Sequence, residues 1–299
     1  MSLFLILISL FTEKYRPHYL QDYTFSYFTK YLVYLDELLN SGERHHGVVA
    51  WFVATLPLLI VYNLIDYLLA YLNLHLMWLV DLVVLLSVIC FRSILKKLIS
   101  AGEQIRTKLK ENSELEEDGD SPQILRAQQV ASAIEQAIND AHTYLFAILF
   151  WYGVLPGVNG VILYIIALYI NNHWGQDRQT DFGYFSRRMF YYLNWPVYYL
   201  TALTFAIVGN FEDALFCWRT QGVKEGESAT SQIFFASAAG ALGIRLGDPN
   251  SPQRLINGLD LGLGELPDLD HLKSTEGLIW RALVVWVIVY ALMTLAAHV

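Results

Sequence analysis

Apolar runs separated by polar stretches dominate the sequence, and their lengths predict helices that cross a membrane. A spanning helix needs about 20 apolar residues. Four runs approach or exceed this length, and we predict spans at about 48–72, 74–91, 189–208 and 278–297. A fifth run, about 145–170, is interrupted by VLPGVNG, so it forms either one bent span or a re-entrant pair of helices.

The amino-terminal region, 1–46, is predicted to be amphipathic. Residues 1–11 are apolar but too few to span, and no basic stretch precedes them, so we expect a partial or interfacial helix and no cleaved signal peptide. The residues that follow predict a helix whose apolar face suits either the lipid headgroup zone or a protein core. This face carries Phe28, Tyr31, Leu32, Leu35, Leu38 and Leu39.

Two polar regions, 93–144 and 209–277, are predicted to be cytoplasmic. Within the first, 111–121 is an acidic, disorder-prone linker. Ser121 and Pro122 form a favourable helix start. The helix that follows presents one apolar face, formed by Ala127, Val130, Ile134, Ala137, Ile138 and Ala141.

Positive charge orients the predicted spans. Arg44 precedes the first span and a basic cluster at 92–97 follows the second, so both ends of this hairpin face the cytoplasm. A single crossing by 145–170 places the loop 171–188 outside, despite its arginines. A re-entrant pair removes this conflict but puts 209–277 outside. We expect the single crossing.

Composition supports a membrane protein. Of the 299 residues, 55% are hydrophobic and 16% are charged, whereas soluble domains have about 25% charged residues. The net charge of −8 disfavours nucleic acid as a partner, and two cysteines, Cys90 and Cys217, argue against a disulfide framework. We therefore predict an all-α, polytopic integral membrane protein, in one domain over 1–299, with about five transmembrane helices plus amphipathic and cytoplasmic helices.

Two carboxylates lie inside the first predicted hairpin. Asp66 and Asp81 stand on opposite arms at similar distances from the turn, about 10 Å at ~1.5 Å per residue. Intramembrane carboxylates are costly and often functional, so a proton or cation site is one interpretation. We favour the other, in which they bond to Asn63, tyrosine hydroxyls or interfacial water.

Motifs for metal or nucleophilic chemistry are absent from the sequence. It contains no H-E-x-x-H, G-x-S-x-G, Walker loop or Cys/His cluster. His45 and His46 are adjacent, and we expect their side chains to point apart on a helix. The sequence therefore predicts no metal site.

The loop DRQTDFGYFSRR is the most charged segment beside a predicted span. Arg178, Arg187 and Arg188 can bind a phosphate or carboxylate, or anchor the chain at lipid headgroups. We favour the anchoring role, because paired arginines often stand where a span begins.

The stretch ASAAGALGIRLGDP, 236–249, is rich in small residues. If it is helical, one face is formed by Ala236, Ala239, Gly240 and Gly243, so that another helix can approach closely. We expect the helix to stop at Gly247-Asp248-Pro249. A phosphate-binding role is the weaker interpretation.

Four segments in this order resemble the CobD/CbiB family: EQAINDAHTYLFAILFW (135–151), TDFGYFSRRMFYYLNWP (180–196), VGNFEDALFCWRTQ (208–221) and AAGALGIRLGDP (238–249). That family comprises membrane-bound adenosylcobinamide-phosphate synthases, which use ATP to join an aminoalkyl phosphate or amino alcohol to a corrinoid carboxylate. The amino-terminal part looks more like the AmpE side branch, whose inner-membrane members are linked to β-lactamase induction.

This chain retains some of the family's polar residues and replaces others. Glu135, Asp181, Arg188 and Asn194 are retained. An aspartate-glycine pair is replaced at 143–144. The family's paired aspartates are replaced by Phe190 and Tyr191, and its later arginine corresponds to about Tyr199. If the chain is a synthase, the resemblance implies that ATP, Mg²⁺ and a corrinoid bind where Glu135, Arg178, Asp181, Arg187, Arg188 and Arg245 converge.

The lost carboxylates remove metal-binding capacity. We therefore expect a non-catalytic, AmpE-type scaffold or signalling protein, multi-pass in a bacterial inner membrane, whose partners are the bilayer and another membrane or cytoplasmic protein. The alternative is an active synthase.

Overall fold

The computed structural model describes residues 2–13, 19–72, 76–113, 121–176, 180–222, 229–246 and 261–296. These residues are almost entirely helical, which confirms the predicted all-α fold. The helices are α1 (Ser2–Thr12), α2 (Tyr19–Leu39), α3 (Arg44–Tyr71), α4 (Met77–Val88), α5 (Phe91–Ser113), α6 (Ser121–Ala141), α7 (Ala147–Val154), α8 (Asn159–Trp174), α9 (Tyr184–Val208), α10 (Phe211–Gln221), α11 (Ala229–Leu242) and α12 (Leu269–Ala296). A π-helical segment, His142–Phe146, joins α6 to α7.

Three helical stretches in the described part of the chain are long and apolar enough to cross a membrane: Arg44–Tyr71, Met77–Thr107 and Leu269–Ala296. They confirm a membrane protein and contain the predicted spans 48–72 and 278–297, apart from their last residues. The predicted span 74–91 is interrupted at Ile89, whose backbone is extended between α4 and α5. Helix α9 contains the predicted span 189–208, but its Tyr, Asn and Pro residues leave it less apolar.

The chain divides into two compact units. The first unit comprises 1–89 and 147–194, and the second comprises 90–146 and 195–299. Helices α1 to α4, α7, α8 and the start of α9 belong to the first unit. The remaining helices belong to the second.

In the first unit, α1 packs on α4, and α2 packs on α3 and α8. The predicted apolar face of α2 buries Leu32 and Leu35, whereas Leu38 stays exposed. The Tyr31 hydroxyl donates a hydrogen bond to the Val53 carbonyl, 2.9 Å away. This helix therefore uses its apolar face partly as protein core.

The fifth apolar run is broken where the sequence predicts. Gly157 adopts a φ of +60°, a conformation that favours glycine, and the chain reverses between α7 and α8. A Cβ atom at Gly160 would lie only 2.2 Å from the Trp151 carbonyl oxygen, so the two helices approach closely as they fold back.

This reversal corrects the expected single crossing of 145–170. The start of α8 lies beside the later half of α3, where the Val158 N–H donates to the Tyr62 hydroxyl at 3.3 Å. The loop after α8 lies beside the start of α3, where the Asp181 N–H donates to the Gly42 carbonyl at 3.2 Å. The loop 171–188 is therefore on the same side as Arg44, as the positive-inside rule requires. The placement of 209–277 stays a prediction.

In the second unit, α5 runs antiparallel to α12. The Phe91 and Trp280 rings meet edge to face at 4.6 Å, and a Cβ atom at Gly102 would lie 2.9 Å from Leu272. Helix α6 also packs on α5 and buries its predicted apolar face at Ala127, Val130, Ile134, Ala137, Ile138 and Ala141.

The glycine-rich stretch forms α11, which packs against α10. A Cβ atom at Gly240 would lie 2.5 Å from the Asp213 backbone oxygen, which confirms close helix packing at this position. Gly243 differs from the prediction. It adopts a φ of +67°, and within the described residues no atom lies within 4 Å of the position of a Cβ atom.

The helix therefore stops at Gly243 rather than at Gly247-Asp248-Pro249, which lie outside the described residues. The Ile244 N–H donates to the Ala239 carbonyl and the Gly243 N–H donates to the Gly240 carbonyl, both at 3.1 Å. This is the Schellman pattern of a glycine-terminated helix.

Candidate functional site at the Asp181 corner

The segment Asp181-Phe182-Gly183 leads into α9 and is held by close backbone contacts. Phe182 is buried and meets the Trp174 ring at 5.2 Å. A Cβ atom at Gly47 would lie 2.0 Å from the Phe182 carbonyl oxygen, and one at Gly183 would lie 2.0 Å from that of Trp174. Side chains at these glycines would displace the segment.

The Asp181 carboxylate projects outward from this anchored segment. Its Oδ2 atom lies 3.2 Å from Arg44 Nε, and both side chains are 60% exposed. The Arg44 guanidinium also lies over the Tyr184 ring, 4.2 Å from its centroid. Exposed ion pairs add little stability, so this pair mainly orients a carboxylate that solutes can reach. We call these residues, with Arg187 and Arg188, the Asp181 corner.

Arg187 and Arg188 are the fourth and fifth residues of α9, whose first turn contains no acidic residue. The Arg187 Nη1 atom donates to the Gly175 carbonyl at 3.1 Å, and Arg188 Nε donates to the Tyr192 hydroxyl at 3.1 Å. The amino end of a helix favours anions, so this turn suits a phosphate or carboxylate group. Arg178 lies outside the described residues.

Asn194 is an internal residue of the first unit. It is 2% exposed, accepts a hydrogen bond from the Tyr164 hydroxyl at 3.1 Å and donates one to the Phe190 carbonyl at 3.0 Å. The Phe190 ring lies 5.9 Å from that of Tyr164. The retained asparagine therefore fastens α8 to α9.

Glu135 and Arg245 belong to the second unit. Glu135 is 1% exposed on α6. Arg245 is exposed, and its backbone N–H donates to the Glu265 carbonyl at 3.0 Å. Of the predicted ligand residues, Asp181, Arg187 and Arg188 lie close together along the chain in the first unit, where Asp181 pairs with Arg44.

The intramembrane carboxylates have different environments. The Tyr62 hydroxyl donates to Asp81 Oδ1 at 2.8 Å, which confirms the tyrosine-bonded interpretation for Asp81. Asp66 is exposed, one helical turn beyond Tyr62.

Two arrangements were not found from the sequence. Arg44, the ion-pair partner of Asp181, is 137 positions away along the chain. His142 is fully buried in the π-helical segment, stacked on Tyr198 at 4.0 Å with a 2° interplanar angle. Its Nδ1 atom lies 3.3 Å from the Thr201 hydroxyl. The seven-residue spacing from Glu135 could have placed His142 on the same helix face.

Comparisons with known proteins agree with this arrangement of segments. A family model described as "CobD/Cbib protein" matches residues 22–273. "Cobalamin biosynthesis protein CobD" of Stutzerimonas stutzeri (strain A1501) is 30% identical over 264 residues, covering 83% of this chain and 82% of that protein. The protein of the same name from Chromobacterium violaceum is 30% identical over 183 residues, covering 60% and 57%. No solved structure matches the chain. The chain belongs to the CobD/CbiB family.

Proposed function

We propose that this protein acts in cobalamin biosynthesis as an adenosylcobinamide-phosphate synthase of the bacterial inner membrane, with several membrane crossings. The observation that carries the proposal is the family match over residues 22–273, together with the CobD relative that aligns over most of both chains. The reaction joins the amine of an aminoalkyl phosphate to a corrinoid carboxylate, with ATP.

The chemistry of the Asp181 corner supports this proposal. An aminoalkyl phosphate has a cationic amine at one end and an anionic phosphate at the other. The exposed Asp181 carboxylate suits the amine, while Arg187, Arg188 and the amino end of α9 suit the phosphate. Holding both ends fixes the position of the nitrogen, which forms the new bond once the ammonium has given up a proton.

A Mg²⁺–nucleotide complex is a second ligand that this corner suits, in place of the aminoalkyl phosphate. Protein sites usually hold Mg²⁺ through one or two carboxylates, and the phosphates of the nucleotide supply further ligands. Asp181 is exposed enough to serve as such a ligand. ATP supplies the free energy that makes the corrinoid carboxylate reactive toward an amine. The residues of this chain bind and orient the reactants.

Complementation tests the proposal. The gene is expressed in a cell that lacks its own cobinamide-phosphate synthase, and growth that depends on cobalamin made from cobyric acid is measured. We expect growth with the wild-type chain and with Asp66→Asn, and no growth with Asp181→Asn. If the wild-type chain is inserted in the membrane but fails where the Stutzerimonas stutzeri relative supports growth, the proposal is wrong.

One observation favours a second candidate, an AmpE-type scaffold or signalling protein without catalytic activity. Phe190 packs on Tyr164 at a position where the family resemblance implies an aspartate. An aromatic ring there cannot bind Mg²⁺. This candidate predicts failed complementation together with restored β-lactamase induction in a cell that lacks its AmpE protein.

A further inference from the structure

Three potential metal ligands, Glu43, His45 and His46, lie close together where the loop after α2 leads into α3. The His45 Nδ1 atom lies 3.2 Å from Glu43 Oε2, and His46 Nδ1 lies 3.9 Å from the same oxygen. One ligand atom from each of the three residues lies within 4.8 Å of the others. The cluster is on the surface, with all three side chains accessible.

The arrangement corrects the expectation that the two histidines point apart. Their ring centroids are 4.0 Å apart. Both residues lie in the first turn of α3, and Glu43 just before it has extended backbone, with φ −97° and ψ 149°. Since no earlier helical turn fills the space beside these rings, both can turn toward the Glu43 carboxylate.

The donor set determines which ions fit. Two imidazoles and one carboxylate suit Zn²⁺, Ni²⁺ or Cu²⁺, whereas Mg²⁺ and Ca²⁺ prefer oxygen ligands alone. Bonds from Zn²⁺ to nitrogen and oxygen are about 2.0–2.2 Å long, so ligands of one ion lie about 3–4 Å apart. The three side chains are exposed and need only small rotations to reach this spacing. Three protein ligands leave coordination positions for water.

The neighbouring residues favour a cation here in two ways. Arg44, which lies between the ligands in sequence, directs its charge to Asp181 and to the Tyr184 ring. The Ser41 hydroxyl forms a hydrogen bond with His46 Nδ1, which holds this ring on the side of the Glu43 carboxylate. The amino end of α3 repels cations, and the Glu43 carboxylate offsets this repulsion.

We propose that Glu43, His45 and His46 bind a divalent transition-metal ion, with Zn²⁺ as the probe ion. The site is separate from the proposed Mg²⁺–nucleotide chemistry, because its ligands are mostly nitrogen. It adjoins Gly42, whose carbonyl accepts the Asp181 N–H. A bound ion therefore stabilises the backbone that supports the Asp181 corner.

Calorimetry with ZnCl₂ tests the site on the full-length protein, purified in detergent with a tag that contains no histidine. We expect one strong binding event at pH 7.5, which weakens at least about tenfold in His45→Ala and in His46→Ala. His173→Ala, at an exposed histidine on α8, should leave the affinity unchanged.

A His45→Ala/His46→Ala double variant that binds Zn²⁺ like the wild type would overturn the proposal. An equal loss of affinity in His173→Ala would also overturn it, because binding would then be nonspecific. Thermal unfolding gives a second readout, since Zn²⁺ should raise the Tm of the wild type and not of the double variant. Neither measurement depends on synthase activity, so this proposal and the proposed function can fail separately.

Discussion

Helix α11 and the segment before α9 both depend on glycines that allow close approach, but they use this closeness differently. At Gly240 the approach brings α10 against α11 and buries apolar side chains on both sides. At Gly183 it anchors a short loop, and the adjacent Asp181 carboxylate remains 60% exposed. Glycine thus allows two helices to pack closely in one region, and in the other it positions an exposed carboxylate. A glycine motif alone therefore does not identify a site.

The largest loss of stability is expected at Gly240, where α10 and α11 pack closely. Gly240→Val places a side chain 2.5 Å from the Asp213 backbone oxygen, which cannot move without shifting α10. We expect a loss of about 3 kcal/mol in the free energy of unfolding, measured by thermal unfolding in detergent. Gly277→Ala on α12 is the control, since no atom of the described segments lies within 4 Å of its Cβ position. Equal stability of both variants would refute close packing at Gly240.

At Gly183, which anchors the Asp181 segment, we expect a smaller loss of stability than at Gly240 but a loss of function. Gly183→Ala puts a Cβ atom 2.0 Å from the Trp174 carbonyl oxygen, at the surface end of α8. The loop can relax partly, so we expect about 1–2 kcal/mol of destabilisation and failed complementation. Normal growth of this variant would show that the position of Asp181 is unimportant.

Removing the Tyr62 hydroxyl, which lies within a predicted span, should reduce stability by a still smaller amount. Tyr62→Phe removes the hydroxyl that donates to Asp81 and accepts from the Val158 N–H. We expect about 1 kcal/mol of destabilisation, measured by thermal unfolding. Tyr67→Phe, at an exposed tyrosine on the same helix, is the control and should behave like the wild type. A stable Tyr62→Phe variant would mean that these bonds do not hold the α7–α8 reversal.

The smallest effect concerns an exposed polar pair before α12. Hydrogen bonds from the backbone N–H and ring of His271 outweigh partial burial and lower the pKa of Asp268. A lowered carboxyl pKa stabilises the folded state above the ordinary value of about 3.9, and this stabilisation is lost as the pH falls through the folded-state pKa.

Asp268→Asn should therefore reduce stability by less than about 0.5 kcal/mol at pH 6, because the pair is exposed, and by less than this at pH 3. Thermal unfolding at both pH values measures the difference. A larger effect at pH 3 than at pH 6 would contradict the assigned direction of the pKa.

Cys217 is a buried residue of α10, the helix that packs against Gly240. Burial and the nearby Asp213 carboxylate raise the pKa of its thiol to about 11. A thiol with this pKa is a poor nucleophile near neutral pH. Cys217 is therefore part of the packed frame on α10.

Local sequence patterns predicted much of the helical structure and its packing. The apolar face of α6, the break at Pro156-Gly157 and the packing at Gly240 follow from periodicity and from the backbone preferences of glycine and proline. The side of the loop 171–188 was predicted wrongly, because crossing counts depend on whether a broken run reverses inside the membrane. Its arginines contained the correct signal.

The candidate site was only half predictable. Asp181 and the arginines of α9 are local. The family resemblance identified Asp181 and Arg188, and the charge of the loop identified Arg187. The partner Arg44 comes from a distant helix, so only the tertiary structure joins it to Asp181. The Glu43–His45–His46 cluster depends on side-chain directions in a first helical turn, which helix periodicity does not describe.

An amide-forming assay would decide whether the Asp181 corner serves synthesis. The purified protein in detergent is incubated with ATP, Mg²⁺, an aminopropanol phosphate and a corrinoid with a free carboxylate, and the product is detected by mass spectrometry. We predict the amide product with the wild-type chain and at least about a hundredfold less with Asp181→Asn, which should unfold at nearly the same temperature as the wild type. No product from the wild-type chain, under conditions in which the Stutzerimonas stutzeri relative forms it, would contradict the proposed activity.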